Sequence, residues 1–179
     1  MTPSELAILL GVIFILPNIY GYFRPAAFGA AVRKFPRSEP WGWLFMLAGT
    51  AWFVWIVQET PLAEFDAFKK HFLVGFTAVG VLTCFFVKDF LAVRGLSVVG
   101  LLLAKVVIEK FRWLDTDWRL YPIAIAYLWV LAGMWFAISP WRLRDILEWE
   151  LASDGRIRLL CGVRVAMGAL WVILGLTVF

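Results

Sequence analysis

The sequence predicts an all-α fold, a polytopic bundle of membrane-spanning helices, and three observations carry this prediction. The 179 residues are 63% hydrophobic and 17% charged, whereas a soluble domain averages roughly 45–50% apolar and about 25% charged residues. The mean hydropathy is +0.83. The apolar residues occur in long blocks separated by short polar segments. One bundle can hold the whole chain, so we expect a single integral membrane domain over residues 1–179.

Six apolar segments approach the roughly 20 residues that a helix needs to cross a membrane. They cover residues 6–23, 41–57, 72–87, 90–108, 120–138 and 157–179. The third is short, but the preceding stretch TPLAEFDAFKKH extends it if Thr60 caps a helix with Pro61 in its first turn. Phe65, Phe68 and Phe72 would then share one face. The alternative is five spans, with the third and fourth segments forming a re-entrant pair.

The stretch SPWRLRDILEWE, residues 139–150, predicts a helix lying in the membrane interface. Ser139 can cap it, with Pro140 in its first position. One face is apolar and carries Leu143, Ile146, Leu147 and Leu151. The other face carries two expected ion pairs at helical spacing, Arg142 with Asp145 and Arg144 with Glu148. Trp141 and Trp149 suit the headgroup layer, so this polar side meets either lipid and water or another protein.

The basic residues predict an orientation in the membrane. Ten of them belong to the loops after the first, third and fifth segments: Arg24, Arg33, Lys34, Arg37, Lys88, Arg94, Arg142, Arg144, Arg156 and Arg158. Six belong to the other side: Lys69, Lys70, Lys105, Lys110, Arg112 and Arg119. The positive-inside tendency therefore places those three loops in the cytoplasm and both termini outside. The net charge of +4 forms no dense basic patch, so we expect no nucleic-acid partner.

The last hairpin carries a family resemblance in SPWRLRD followed by GRIRLLCGVRVAMGALWVILGL. It resembles small uncharacterised bacterial inner-membrane proteins, in which two spans flank a short amphipathic segment and the second span opens on arginine and glycine. The resemblance covers residues 135–176. It implies a location in the bacterial inner membrane and no particular chemistry.

Four polar residues inside the apolar segments are candidates for contact with lipid, a partner or a substrate. Arg164 lies about 10 Å along the sixth segment, so it either bends its head back to the interface or faces a partner, a lipid headgroup or a substrate. Arg94 and Lys105 lie near the two ends of the fourth segment, where both can reach the interfaces. Asn18 follows Pro17 and marks either a hinge or site or a structural bond between helices.

Small residues predict where helices pack closely. Gly100 and Ala104, in GLLLA, are four residues apart on one face, and so are Gly162 and Ala166 in GVRVA. Gly168 belongs to a stripe of the sixth segment that faces protein and not lipid: Cys161, Arg164, Gly168, Trp171 and Gly175. The pattern indicates packing and carries no chemistry.

His71 is the only histidine of the chain. It can ligate a haem or a chlorin only with a second ligand from elsewhere; the alternative is an interfacial histidine beside Lys69 and Lys70. The two cysteines, Cys84 and Cys161, have no metal-site spacing and are typical of small buried apolar residues. We therefore predict no metal and no cofactor.

The function that these observations favour is non-enzymatic. No P-loop, dinucleotide fingerprint, nucleophile elbow or metalloprotease motif occurs, and no carboxylate lies deep in an apolar run, as proton-coupled carriers usually require. We expect an integral membrane subunit or assembly factor that packs against lipids and against other membrane proteins or a second copy of itself. The alternatives are a small carrier or channel, for an anion if Arg164, Arg94 or Lys105 line its path, and a quinone- or pigment-binding subunit.

Overall fold

The computed structural model describes residues 1–61 and 63–179, and their side chains except at positions 63–65. Regular structure in this part of the chain is entirely helical. The α-helices are α1 (Pro3–Phe23), α2 (Pro25–Lys34), α3 (Glu39–Glu59), α4 (Lys69–Phe86), α5 (Leu91–Phe111), α6 (Leu120–Ile138), α7 (Trp141–Glu150) and α8 (Asp154–Thr177). Six of them, all except the ten-residue helices α2 and α7, are long and apolar enough to cross a membrane. The predicted all-α fold is confirmed, with six helices long and apolar enough to span a membrane. The third and fourth segments form the separate helices α4 and α5, each long enough to cross by itself, which favours six spans over the re-entrant alternative.

Several helices begin two or three residues before the apolar segments because polar residues start or cap them. At the start of α1, the Thr2 side chain accepts a hydrogen bond from the backbone N–H of Glu5, and the Glu5 carboxylate accepts one from the backbone N–H of Thr2. This reciprocal arrangement satisfies two N–H groups that a helix start otherwise leaves without partners. The side chain of Ser153 caps α8 in a similar way through the backbone N–H of Arg156.

The predicted role of Thr60 was wrong. Thr60 ends α3: both its backbone N–H and its hydroxyl donate to the carbonyl of Ile56. A residue that continues the hydrogen bonding of one helix in this way does not start the next one, and Pro61 accordingly lies outside any helix. A 3₁₀ turn over Ala63–Phe68 leads into α4. The side chain of Phe65 lies outside the described residues, so the face that it would share with Phe68 and Phe72 stays a prediction.

The chain groups into two compact units. The first comprises Met1–Lys34, Ala104–Leu128 and Arg144–Phe179. Within it, α1 and α8 approach at Gly11 and Gly168: a Cβ added at Gly168 would lie 2.9 Å from the carbonyl oxygen of Gly11. Glycine lets the two backbones come this close, as small residues do between membrane helices. Trp171 is buried in the same unit and packs edge-on against the ring of Phe111.

The second unit comprises Phe35–Leu103 and Trp129–Leu143. Here α3 packs against α5, where a Cβ added at Gly95 would lie 2.6 Å from the backbone nitrogen of Met46. Helix α4 packs against α3 at Gly80, which faces the side chain of Thr50. Rings of the two helices also meet edge to face, among them Phe53 with Phe76 at 4.8 Å between centroids. The opposite side of α4 is largely exposed.

Candidate functional site

Arg164 forms an ion pair with Glu150 inside the first unit. Arg164 lies ten residues after Asp154, the first residue of α8, or about 15 Å along the axis. Its Nη2 is 2.5 Å from Oε1 of Glu150, the last residue of α7. The Glu150 side chain is 14% exposed and that of Arg164 is 35% exposed. The cation that the sequence singled out is therefore paired within the chain, with a largely buried carboxylate.

Glu150 is the residue that sequence reasoning missed. Its partner is 14 positions away, beyond the three- and four-residue spacings at which pairs are read from a helix. One signal was present: Asp145 and Glu148 each had an expected arginine within α7, and Glu150 had none. An acid left over on an amphipathic helix points to a partner on another element.

The two short helices α2 and α7 meet at the start of α8. Arg33, in the last turn of α2, donates from Nη2 to the carbonyl oxygen of Leu151 at 2.6 Å, just after α7 ends. Carbonyls at a helix end lack intrahelical partners and carry partial negative charge, so a cation is favourable there. Beneath this bond lies an apolar cluster formed by Leu151, Ile157 and Cys161 together with Phe28, Val32 and Leu147. The ion pair of Arg164 is thus set beside a packed junction of three helices.

The predicted pairing along α7 is partly wrong. Arg144 contacts both acids, with Nη2 at 2.9 Å from Asp145 and Nε at 3.6 Å from Glu148. Arg142, predicted to pair with Asp145, is exposed and has no carboxylate within 4.0 Å among the described residues. The hydrogen bond to Asp145 and the charges of Asp145 and Glu148 raise the pKa of the Arg144 guanidinium. Asp145 therefore pairs with the adjacent Arg144 and not with Arg142.

The predicted headgroup tryptophans Trp141 and Trp149 are both exposed. The guanidinium of Arg156 lies over the ring of Trp149 at 5.3 Å and donates to its backbone carbonyl at 3.3 Å. This is a cation–π contact between the end of α7 and the start of α8. Trp149 remains exposed despite this contact, so its ring can meet lipid headgroups or another protein.

Arg94, in the second unit, lines a cavity of about 290 Å³. Its Nη1 donates to the carbonyl of Ala137, in the last turn of α6, at 3.1 Å. Its Nε is buried and has no hydrogen-bond partner in the described structure. No carboxylate of a described residue lies within 4.0 Å, so a helix end offsets the charge only in part.

Lys105 and Asn18 make local contacts. Lys105 pairs with Glu109 one helical turn further on, at 2.6 Å, and both side chains are about half exposed. Asn18 is buried and donates from Nδ2 to the carbonyl of Phe14 in its own helix at 2.7 Å. The bond across helices that its position suggested is therefore not made by Nδ2, and Oδ1 has no partner in the described structure. The carbonyl lies four residues back, within easy reach of the amide.

The small residues divide into packed and open positions. Gly168 and Ala104 are buried. A Cβ at Gly100 meets no atom within 4 Å among the described residues, so the close helix contact expected there is absent. At Gly162 the nearest atom would be 3.9 Å away, an ordinary contact, and Ala166 is exposed. The four-residue spacing defines a helix face but does not say whether a neighbouring helix covers that face.

His71 is exposed at the start of α4, with its ring 6.2 Å from that of Phe68. It lies on one line with Gly75, Ala78 and Leu82, all of which are exposed. We call these four residues the outer face of α4, since residues three and four apart share a helix face. In residues 1–61 and 63–179 no group of three or more histidine, cysteine or acidic side chains is placed to hold a metal ion.

Comparison with known protein families, curated proteins and solved structures finds no match for this chain.

Proposed function

We propose that the chain is a non-enzymatic integral membrane subunit or assembly factor, which packs against another membrane helix through the outer face of α4. The observation that carries this proposal is the exposure of that helix. The span containing α4 has the lowest buried share of the six candidate spans, 11%, against 17% for α3 and α6 and 44% for α5. Helix α4 packs against α3 on one side, and its other side is open to lipid or to a partner.

The composition of the outer face favours a protein partner over lipid alone. A Cβ added at Gly75 meets no described atom within 4 Å, and Gly75 and Ala78 are one turn apart. Small residues let another backbone approach closely, which is how helices gain contact energy in a bilayer. His71 adds a polar group that can hydrogen-bond across such an interface. A face exposed only to lipid gains nothing from these residues.

The polar contacts of the spans support a structural role over transport. Arg164 is paired with Glu150 and Lys105 with Glu109, while Arg94 donates to a helix carbonyl. An anion path built from these three cations would need them to share a ligand, and in the described structure each has its own partner. The carrier hypothesis therefore ranks second, and solute flux in vesicles that depends on Arg164 is the observation that would favour it.

The cofactor alternative depends on His71. His71 is the candidate haem or chlorin ligand of this chain, and its exposure at the start of α4 leaves room for a second ligand from a partner. The absorbance spectrum of the purified protein tests it directly: a visible band that disappears in His71→Ala supports a pigment. A spectrum with only aromatic absorption rejects it.

For location, we propose the bacterial inner membrane, with the loops after α1, α4 and α6 in the cytoplasm and both termini outside. The excess of basic residues in those loops supports this orientation. A reporter enzyme fused after Phe179 should give its signal outside the cytoplasm, and a cytoplasmic signal would reverse the assignment.

The test of the subunit proposal is a glycine substitution that blocks a partner without touching the chain's own contacts. Gly75→Leu places a bulky side chain on the outer face, where the chain itself leaves open space. Gly155→Leu is the matched control, because it makes the same change at another open position, in the first turn of α8. The readout is the protein mass of the complex purified in mild detergent, measured by light scattering.

We expect the wild-type chain and Gly155→Leu to elute in a complex heavier than the 20.4 kDa monomer, and Gly75→Leu to lose the added mass. Wild-type protein that elutes as a monomer bound to no other protein would contradict the proposal. If all three proteins form complexes of equal mass, the interface lies elsewhere than on the outer face of α4.

A further inference from the structure

The cavity beside Arg94 has the layout of a site for an amphipathic anion. It is a groove of about 290 Å³ between helices of the second unit, near the lower end of the roughly 300–1,000 Å³ typical of ligand pockets. Its walls are mostly apolar: Met46, Phe53, Phe76, Val79, Gly80, Val98 and Ala137, with Thr50, Thr83 and Arg94. From Thr83 to Phe76 it extends seven residues of α4, about 10 Å along the helix.

The charge lies at one end of this groove. Arg94 is the fourth residue of α5, about 4.5 Å from the start of the helix, and Thr83 is close to the end of α4. The opposite end is closed by the rings of Phe53 and Phe76, which meet edge to face. The polar end is therefore near the level of the headgroups, and the apolar end points towards the middle of the bilayer.

The hydrogen-bonding groups of the groove call for an anion. The hydroxyls of Thr50 and Thr83 donate to carbonyls of their own helices, of Met46 and Val79 respectively, each at 2.7 Å. Because both hydroxyl hydrogens are used in this way, the two hydroxyl oxygens can only accept hydrogen bonds from a ligand. Arg94 supplies the positive charge and has no carboxylate within 4.0 Å among the described residues. Of its five N–H groups, one donates to the carbonyl of Ala137, and the buried Nε–H has no acceptor in the described structure.

A guanidinium that has only a helix carbonyl and no carboxylate as its partner is costly beside apolar walls in a membrane, and an anionic oxygen relieves that cost. We propose that the groove binds one anionic phospholipid, with its phosphate beside Arg94 and part of an acyl chain along Val79 and Phe76. The membrane is the source of the ligand because the groove continues from the charge into an apolar trough. A free phosphate would leave this trough unfilled, whereas the acyl chain of a phospholipid fills it. The site is distinct from the outer face of α4, since Phe76, Val79 and Thr83 lie roughly a third of a turn around the helix from it.

The experiment measures lipid binding by native mass spectrometry of the full chain in detergent, with phosphatidylglycerol, phosphatidylcholine or inorganic phosphate added. Arg94→Gln removes the charge, Arg94→Lys keeps it, and Val79→Trp fills the apolar part while leaving the cation in place. The matched control is Arg144→Gln, which removes one exposed cation paired with Asp145. Circular dichroism and elution volume verify that each variant folds.

We expect the wild-type chain to retain one phosphatidylglycerol and to prefer it over phosphatidylcholine. One cation near the headgroups gives roughly 1 kcal/mol, so Arg94→Gln should lower this preference about fivefold. Arg94→Lys should keep most of it, and Arg144→Gln all of it. Val79→Trp should weaken binding of both lipids.

Three results would overturn the proposal. The first is equal binding of phosphatidylglycerol by the wild-type chain and folded Arg94→Gln. The second is competition by inorganic phosphate together with no effect of Val79→Trp, which would make the site one for a free anion. The third is an equal loss in Arg144→Gln, which would show a general surface attraction. If Arg94→Gln fails to fold, Arg94→Lys and Val79→Trp still decide between these outcomes.

Discussion

Replacing Arg164 with glutamine leaves the Glu150 carboxylate without its cation where α7 ends. A hydrogen bond between charged groups contributes about 1.5–3 kcal/mol to stability. The carboxylate is 14% exposed and the guanidinium 35% exposed, so solvent screens part of this energy. We therefore expect Arg164→Gln to lower the free energy of unfolding by about 1–2 kcal/mol, a factor of about 5–30 in the unfolding equilibrium.

A double-mutant cycle isolates the pair from other effects of either substitution. The four proteins are wild type, Arg164→Gln, Glu150→Gln and the double variant, each unfolded by a denaturing detergent and followed by circular dichroism. We expect a coupling energy of about 1 kcal/mol, with the double variant more stable than the sum of the single losses implies.

The control cycle uses Lys105 and Glu109, which make the same type of ion pair with side chains 45% and 53% exposed. An exposed pair four residues apart contributes about 0.3–0.5 kcal/mol. A coupling for Arg164 and Glu150 no larger than that of this control pair would refute the reasoning. It would mean that Arg164 bends to the interface and makes no specific contact.

Two further predictions concern packing. Gly95→Leu should destabilise the chain by about 1–3 kcal/mol, since its Cβ would lie 2.6 Å from the backbone nitrogen of Met46; Gly100→Leu, where no described atom lies within 4 Å, should stay within about 0.5 kcal/mol of wild type. Equal losses in a thermal melt would contradict both assignments. Cys84 and Cys161 are each 1% exposed, so a maleimide should label them at least about tenfold more slowly in native micelles than after unfolding. Rapid labelling of the folded protein would show that one of these helix contacts opens.

The spans could be predicted from sequence because membrane insertion depends on the local average of apolar residues. Each of the six segments was predicted with boundaries within three residues of the observed helix ends. The helix over residues 141–150 could be predicted in the same way, since its apolar residues recur at helical spacing, while its place in the membrane interface stays a prediction. Thr60 shows the limit of such reasoning: the same hydroxyl can cap the start of one helix or bond back into another, and only the chain path decides.

The contacts around the candidate site could not be predicted because they join residues that are distant in sequence. Arg33 and Leu151 are 118 positions apart, and no pattern in either segment predicts that the two residues are in contact. Glu150 could have been suspected as the acid of α7 that has no partner within its own helix. Predicting that its partner is Arg164 would have required the direction in which α8 leaves α7. In the same way, the spacing of Gly100 and Ala104 predicted that the two residues share a helix face, but it did not predict whether a neighbouring helix covers that face.

The most direct test of the subunit proposal is a cross-link formed in the native membrane from Ala78, on the outer face of α4. Ala78→Cys introduces an exposed thiol, and the native Cys84 and Cys161 are buried and give little background. Leu128→Cys, exposed on α6, is the control at a position outside the proposed interface. With a thiol-reactive benzophenone, which attaches to the introduced cysteine and on illumination inserts into C–H bonds of any chain within reach, we predict a discrete larger species for Ala78→Cys and none for Leu128→Cys. If Ala78→Cys remains monomeric under these conditions, the outer face of α4 meets only lipid and the proposed function fails.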